Sequence, residues 1–334
     1  MSSKKLLVVI GATGTQGGSV IETILSDPAW RIRGVTRNPS SSRAQTLAAK
    51  GVELAQADIN DPSTLTQAFD GAHAIFGLTD SWSLLNPKNE SKLKPGQRLI
   101  EWAFEEELQY GKNIFDAAAQ VPTLERLVYS TLPHLKRLSG GKYDKGYHFD
   151  AKGFAVEYAK EKYPELWGKT SLVQLGFYLS NFIGHPWMTP KKNEVTGAYE
   201  FRLPAKHYVY PMVAAETDTG LFVQALLAAP AGKNLAAYRQ WISGEDFVDL
   251  WAKTLGVKAT LKFGSVDAAL PDFREELDHI FDFGLEYGYF GHSVDKSLID
   301  PHQLDPNLQL GTVEEWIKAQ DWSGLEDPSS KWAH

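Results

Sequence analysis

The chain has no cysteine, which excludes disulfides, zinc–thiolate centres, nucleophilic thiols and thiol-based redox sensing together. Any response to redox state has to pass through a bound group. Apolar runs of roughly 18 residues are also missing, so no stretch reads as a membrane span. Met1-Ser2-Ser3-Lys4-Lys5 leads into the first apolar stretch without a signal-peptide core of its own, and the expected compartment is the cytoplasm, or the nucleus for a regulator. Positive charge is in deficit: 34 Lys and Arg against 41 Asp and Glu leave a net charge of −7. That balance argues against direct DNA binding, which needs a basic surface. The local exception is a cluster of Lys136, Arg137, Lys142 and Lys145 in one stretch. Internal repeats and low-complexity tracts are absent too. A length of 334 residues with 43% hydrophobic and 22% charged residues is ordinary for a globular chain, and gives room for a dinucleotide-sized domain with a smaller appendage.

What is present is dominated by the first eighteen positions. Leu6-Leu7-Val8-Val9-Ile10 is a continuous apolar run, the pattern of a strand covered on both faces in a parallel sheet. Gly11, Gly14 and Gly17 follow as G-x-x-G-x-x-G, and Val20, Ile21, Ile24 and Leu25 then take up helical spacing. Glycines let the turn tighten and approach a ligand, and the helix start offers free N–H groups to an anion. A strand before and a helix after are the context of a pyrophosphate-binding turn. Gly11, Thr13, Gly14, Thr15, Gln16 and Gly17 are therefore cofactor-binding candidates.

Strand and helix signals alternate at short intervals up to residue 176, which predicts an α/β fold built on a Rossmann-type doubly wound parallel sheet. Strands are expected at 31–36, 52–57, 73–78, 125–130 and 171–175, with helices at 40–50, 62–69, 96–120 and 148–161. Prolines at 186, 190, 204 and 211 then break the rhythm. The expected organisation is residues 1–176 as the NAD(P)-binding domain, with 205–260 partly returning to it, and 177–334 as a smaller C-terminal α/β region for substrate or partner. In that region Asp218-Thr219-Gly220 is expected to open a helix, Ser243 to cap another, and 282–334 to lack regular period. Tyr178, Phe182, Trp187 and Tyr210 are expected to line a pocket.

Arg37 ends the second strand about twenty residues past the last motif glycine, where an acid would accept from the ribose of NAD. A guanidinium with Ser40, Ser41, Ser42 and Arg43 close behind favours NADP(H) over NAD(H). Asp58 ends the third strand and either faces the adenine or opens an Asx turn. Thr79 ends the fourth strand, and Ser130 and Thr131 end the fifth, in the crevice where substrate meets cofactor. His148 and Lys152 are four apart and share a helix face. The lysine is a candidate to hold the nicotinamide ribose. His148 and Ser130 are catalytic candidates beside it, with Tyr143 and Tyr147 as rival proton donors. No metal site is expected.

Gly11-Ala12-Thr13-Gly14-x-x-Gly17, Val35-Thr36-Arg37-Asn38-Pro39, Gly111-Lys112-Asn113, His148-Phe149-Asp150-x-Lys152 and Asp218-Thr219-Gly220 together resemble the fungal NmrA-like family of atypical short-chain dehydrogenase/reductases. The resemblance implies a Rossmann domain, a cleft bordered by a smaller region, and NAD(P) binding. It implies two kinds of function as well: reductases of secondary metabolism acting on a small carbonyl or enone, and non-catalytic NADP(H) sensors that bind a protein partner such as a transcription regulator. The family typically lacks the tyrosine of Tyr-x-x-x-Lys dehydrogenases, and this chain has His148 in its place.

Overall fold

Leu6, Val8 and Ile10 enter one core while Leu7 and Val9 enter another, so the first apolar run is a strand with no solvent face. The computed structural model describes residues 4–185, 188–264 and 271–326. In chain order the first strands are β1 (Lys5–Ile10), β2 (Trp30–Thr36), β3 (Glu53–Gln56), β4 (Ala74–Gly77), β5 (Arg126–Thr131) and β6 (Thr170–Leu175), close to the expected positions. They are followed by β7 (Phe177–Tyr178), β8 (Lys191–Lys192), β9 (Tyr199–Leu203), β10 (Val209–Val213), β11 (Asn234–Ala237), β12 (Gln240–Ser243), β13 (Ala259–Phe263) and β14 (Leu298–Ile299).

One eight-stranded sheet runs β14-β11-β6-β5-β4-β1-β2-β3, parallel throughout. The direction of winding reverses between β1 and β4, and ligands bind at the carboxyl ends of strands flanking such a switch. Helices Thr15–Ile24 and Ala215–Ala228 cover one face through Val20, Ile21, Phe222 and Val223. Helices Leu99–Ala118 and Tyr147–Lys162 cover the other through Ile114, Phe115, Ala155 and Val156. Their close approach has a visible cause at Gly111, where an added Cβ would lie 2.6 Å from the Ala155 Cβ.

Two three-stranded sheets, β12-β10-β7 and β13-β9-β8, make up the smaller layer. Its core is aromatic: Phe182 stacks on Phe247 at 4.2 Å between ring centroids, and Trp251 packs edge-on against Phe201 at 5.0 Å. Helix Gly244–Leu255, capped by the Ser243 hydroxyl as expected, packs in this core. Within 205–260, helix Ala215–Ala228 and β11 lie on the main sheet instead.

Two expectations change. Asp218-Thr219-Gly220 does not open its helix, which starts a turn earlier at Ala215. Asp218 is buried in a two-pronged pair with Arg239, at 2.8 and 2.6 Å, and also accepts from the Ala214 N–H. The stretch 282–334 does carry regular structure: the seventeen-residue helix Pro271–Tyr287 runs into it, and shorter helices lie at Pro301–Leu304 and Val313–Ala319. A 3-10 turn at Pro87–Lys92 interrupts the loop after β4.

Gly220 is where helices Thr15–Ile24 and Ala215–Ala228 touch: an added Cβ would sit 2.0 Å from Thr23 Oγ1 and 2.3 Å from the Ser19 carbonyl. Gly220→Ala should therefore force the helices apart and cost about 1–3 kcal/mol, the usual range for overpacking. Urea unfolding would show it as a lower midpoint with an unchanged slope, and an unchanged midpoint would mean the helix pair is not tightly fixed.

Candidate functional site

The carboxyl ends of β1 to β6 open into a single cavity of about 1050 Å³. The cofactor-binding candidates Gly11, Thr13, Gly14, Thr15, Gln16, Gly17, Arg37, Asp58, Thr79 and Lys152 line it, as do the catalytic candidates Ser130 and His148. Among the described residues no group of three or more metal-ligating side chains is found, and no helix is long and apolar enough to cross a membrane.

The glycine turn fits a pyrophosphate. Gly11 has a φ of +65°, reachable at little cost only without a side chain. Gly14 is the N-cap of the following helix and offers no side-chain acceptor, and the first backbone bond runs from the Gly18 N–H to the Gly14 carbonyl at 2.8 Å. The amides of Thr15, Gln16 and Gly17 precede it, on a cavity wall, with the positive end of the helix behind them. Gly17 serves packing, since its Cβ would lie 2.2 Å from the Gly11 carbonyl oxygen.

One end of the cavity is cationic. Arg37 and Arg43 are both exposed, and with Asn38, Ser41 and Ser42 they line the cavity where helix Ser42–Ala49 begins. Asp58 makes the Asx turn, its Oδ1 accepting from the Asn60 N–H at 3.0 Å, and still lines the wall.

At the other end Lys152 is held in a buried network that the sequence reading missed. Its ammonium donates to Glu107 Oε1 at 2.5 Å, and to the Thr79 carbonyl and hydroxyl at 2.8 Å each. Thr79 donates in turn to Glu107 Oε1 at 2.7 Å, and Ser81 donates to Glu107 Oε2. Glu107 is 1% exposed. The signal was there: it lies on the apolar stripe Ala103, Gly111, Ile114 of its helix, where a lone acid needs a partner.

His148 is engaged by a second unanticipated acid. Glu276 Oε1 lies 2.7 Å from His148 Nδ1 and accepts the His148 main-chain N–H at 2.7 Å. Glu276 comes from the Pro271–Tyr287 helix, whose Phe273, Leu277, Ile280 and Phe281 line the cavity. Trp82, 46% exposed, adds an aromatic wall with ring centroids 5.8 Å from His148, 5.2 Å from His185 and 5.2 Å from Phe273. Burial pushes the His185 imidazole below its ordinary range.

Of the aromatics expected in the pocket, Tyr178 lines it and accepts from Gln16 Nε2 at 2.7 Å. Phe182 and Tyr210 are fully buried in the C-terminal core instead, and Trp187 lies outside the described residues. The rival donors are occupied away from the cavity: the Tyr143 hydroxyl donates to Glu286 at 2.7 Å, and that of Tyr147 accepts from Arg98 at 2.5 Å. The basic cluster is largely paired, Arg137 with Glu157, Lys142 with Glu286 and Lys145 with Glu275.

The NmrA-like family pattern matches residues 3–317. The chain belongs to the NmrA-like family. Its curated relatives include the NmrA-like oxidoreductase ptmS of Penicillium ochrochloron, 27% identical over 97% of this chain and 96% of that protein. The solved structure of NmrA, a negative transcriptional regulator, in complex with NADP aligns with a TM-score of 0.75 over 99% of both chains at 20% identity. The NADPH-dependent quinone oxidoreductase QOR2 of Escherichia coli, complexed with NADPH, aligns with a TM-score of 0.64 at 19% identity, over 93% of this chain and 98% of that one. At these identities the two structures show a shared fold.

Asp150, between His148 and Lys152 in the family motif, faces away from the site. It is buried and accepts the Lys136 main-chain N–H at 3.1 Å. Burial pushes its carboxyl up to about 7 from the ordinary 3.8, against the pull of the Lys136 and Leu135 amides. Between those two values the unfolded chain is ionised and the folded one protonated, so this group's contribution to stability falls as pH rises from about 4 and levels off above about 7. Asp150→Asn keeps an acceptor for Lys136 without the charge. Relative to the parent it should gain stability as pH rises through that window, in urea unfolding at a series of pH values; a difference that does not vary with pH would contradict the buried, protonated carboxyl.

Proposed function

We propose that this NmrA-like chain is an NADP(H)-dependent reductase of a small carbonyl or enone compound bearing an aromatic ring. The observation that carries the reading is the sequence of chemistries along one cavity. Guanidiniums stand at one end, an uncapped helix start in the middle, and a histidine and a lysine beside aromatic walls at the other. The cavity's size suits a dinucleotide with a small molecule beside it, since pockets for a single small ligand span roughly 300–1,000 Å³.

Thr15, Gln16 and Gly17 would hold the pyrophosphate through their amides. Arg37, with Arg43, would take the 2′-phosphate by charge-assisted hydrogen bonds. Asp58 faces the adenosine end, and Lys152 the nicotinamide ribose. The reduced cofactor supplies the hydride equivalent. His148 supplies the proton to the substrate oxygen, Ser130 lies on the same crevice wall, and Trp82 and Phe273 exclude water from it. The names of the curated relatives, fungal oxidoreductases, and of solved neighbours that bind NADP or NADPH support this reading.

A second reading, a non-catalytic sensor of the NADP(H) pool that regulates a protein partner, is favoured by His148 standing where Tyr-x-x-x-Lys dehydrogenases carry tyrosine. Consumption of NADPH and of NADH by the parent and by Arg37→Ala, measured by loss of nicotinamide absorbance against quinones, aryl ketones and enones, separates the two. A reductase consumes NADPH in preference to NADH. Arg37→Ala should weaken NADPH by about 1.5–3 kcal/mol, the scale of hydrogen bonds to charged groups, and leave NADH nearly unchanged. Tight NADPH binding with no consumption across the panel would favour the sensor, and equal losses for both cofactors would remove the 2′-phosphate role of Arg37.

A further inference from the structure

Glu276 is 0% exposed, sits on a helix far from the glycine turn in sequence, and brings one oxygen, Oε1, to both the main-chain N–H and the ring Nδ1 of a single residue, His148. Its other oxygen is buried and has no hydrogen-bond partner among the described residues. The neighbouring Glu275 pairs with Arg98 at 3.2 Å and with Lys145, and Glu276 directs its hydrogen bonding to His148.

We propose that Glu276 is a positioning residue for His148, fixing the ring and holding a proton on Nδ1 so that Nε2 is the nitrogen that exchanges protons with the cavity. This rests on the reductase reading above. His148 is 15% exposed in its side chain and lines the cavity, and Nε2 is the ring nitrogen without a hydrogen-bond partner among the described residues. An imidazole whose Nδ1–H is held by a carboxylate is set in one tautomer and one orientation. In reduction of a ketone the carbonyl carbon gains a hydride equivalent, with both electrons, from the reduced dinucleotide, which is oxidised. The carbonyl oxygen gains the Nε2 proton, so that C=O becomes CH–OH. His148 is left as neutral imidazole with its proton on Nδ1 toward Glu276, and Nε2 recovers a proton from solvent. The Pro271–Tyr287 helix thereby adds a working part to the chemistry as well as a wall to the cavity.

A purely structural Glu276 would anchor the helix and nothing more, and nitrogen-15 NMR of histidine-labelled, cofactor-free protein tells the two apart, with the spectrum of His148→Gln assigning the resonance. The parent should show neutral His148 as the Nδ1–H tautomer, and Glu276→Leu, of similar volume, should revert it to the Nε2–H form favoured by free imidazole. In turnover Glu276→Leu should lose kcat by about 10²-fold or more, with substrate KM and NADPH affinity changed by less than about threefold. Glu276→Asp, which keeps the carboxylate, should recover part of both signals. An Nε2–H tautomer in the parent, or Glu276→Leu with parental tautomer and kcat, overturns the proposal. Should Glu276→Leu not fold, the parental tautomer and Glu276→Asp still decide. Should the parent show no turnover, the reductase reading fails alone and the NMR result decides whether Glu276 sets the ring.

Discussion

The ion pair between Glu107 and Lys152 joins three elements at the wall of the cavity. Glu107 comes from the long helix after β4, Lys152 from the helix after β5, and Thr79, which bonds to both, from the end of β4 itself. Both charges are removed from water, so each is tolerable only with the other in place and with its remaining hydrogen bonds filled. Here Thr79 and Ser81 fill them. The geometry fixes Lys152 at the cavity wall before any ligand arrives, and it ties the Lys152 end of the crevice to the sheet's topological switch.

The C-terminal layer completes what the sheet begins. Its aromatic core supports the Pro271–Tyr287 helix, where Phe281 packs edge-on against Tyr208 at 5.3 Å. The same helix is tied to the segments that lead into helices Leu99–Ala118 and Tyr147–Lys162 through Arg98, Lys142 and Lys145. Lys142 and Lys145, two members of what in the sequence looked like a candidate basic patch, thus spend their charge on Glu286 and Glu275. The acidic face of one helix accounts for the basic loop of another.

The parallel sheet and its glycine turn were legible because both are local: alternate residues of one apolar run feed two cores, and the turn glycines sit between strand and helix. Arg37, Thr79, Ser130, His148 and Lys152 could be placed at strand ends and on a helix face by the same periodicities, and all of them line one cavity. What could not be read was which distant residue answers each polar group. Glu107 was passed over inside an otherwise amphipathic helix, although an acid on its apolar stripe called for a buried cation. Glu276 was hidden because residues 271–281 were assigned no element, despite Phe273, Leu277, Ile280 and Phe281 recurring at helical spacing. Asp218 was taken for a helix opener because acids favour that position, whereas its partner Arg239 lies twenty-one residues away. Phe182 and Tyr210 were expected at the pocket because aromatics are common there, and they went to the core, where aromatics are commoner still.

The Glu107–Lys152 pair acts as a coupled unit that holds the site together. A double-mutant cycle on unfolding free energy, with Glu107→Gln, Lys152→Met and the two combined, measures that coupling directly. Each single change should cost about 3–5 kcal/mol by leaving its partner buried and unmatched. The double change should cost less than the sum by at least about 2 kcal/mol. Additive losses, agreeing within about 0.5 kcal/mol, would show that the two groups do not depend on each other and would contradict the account.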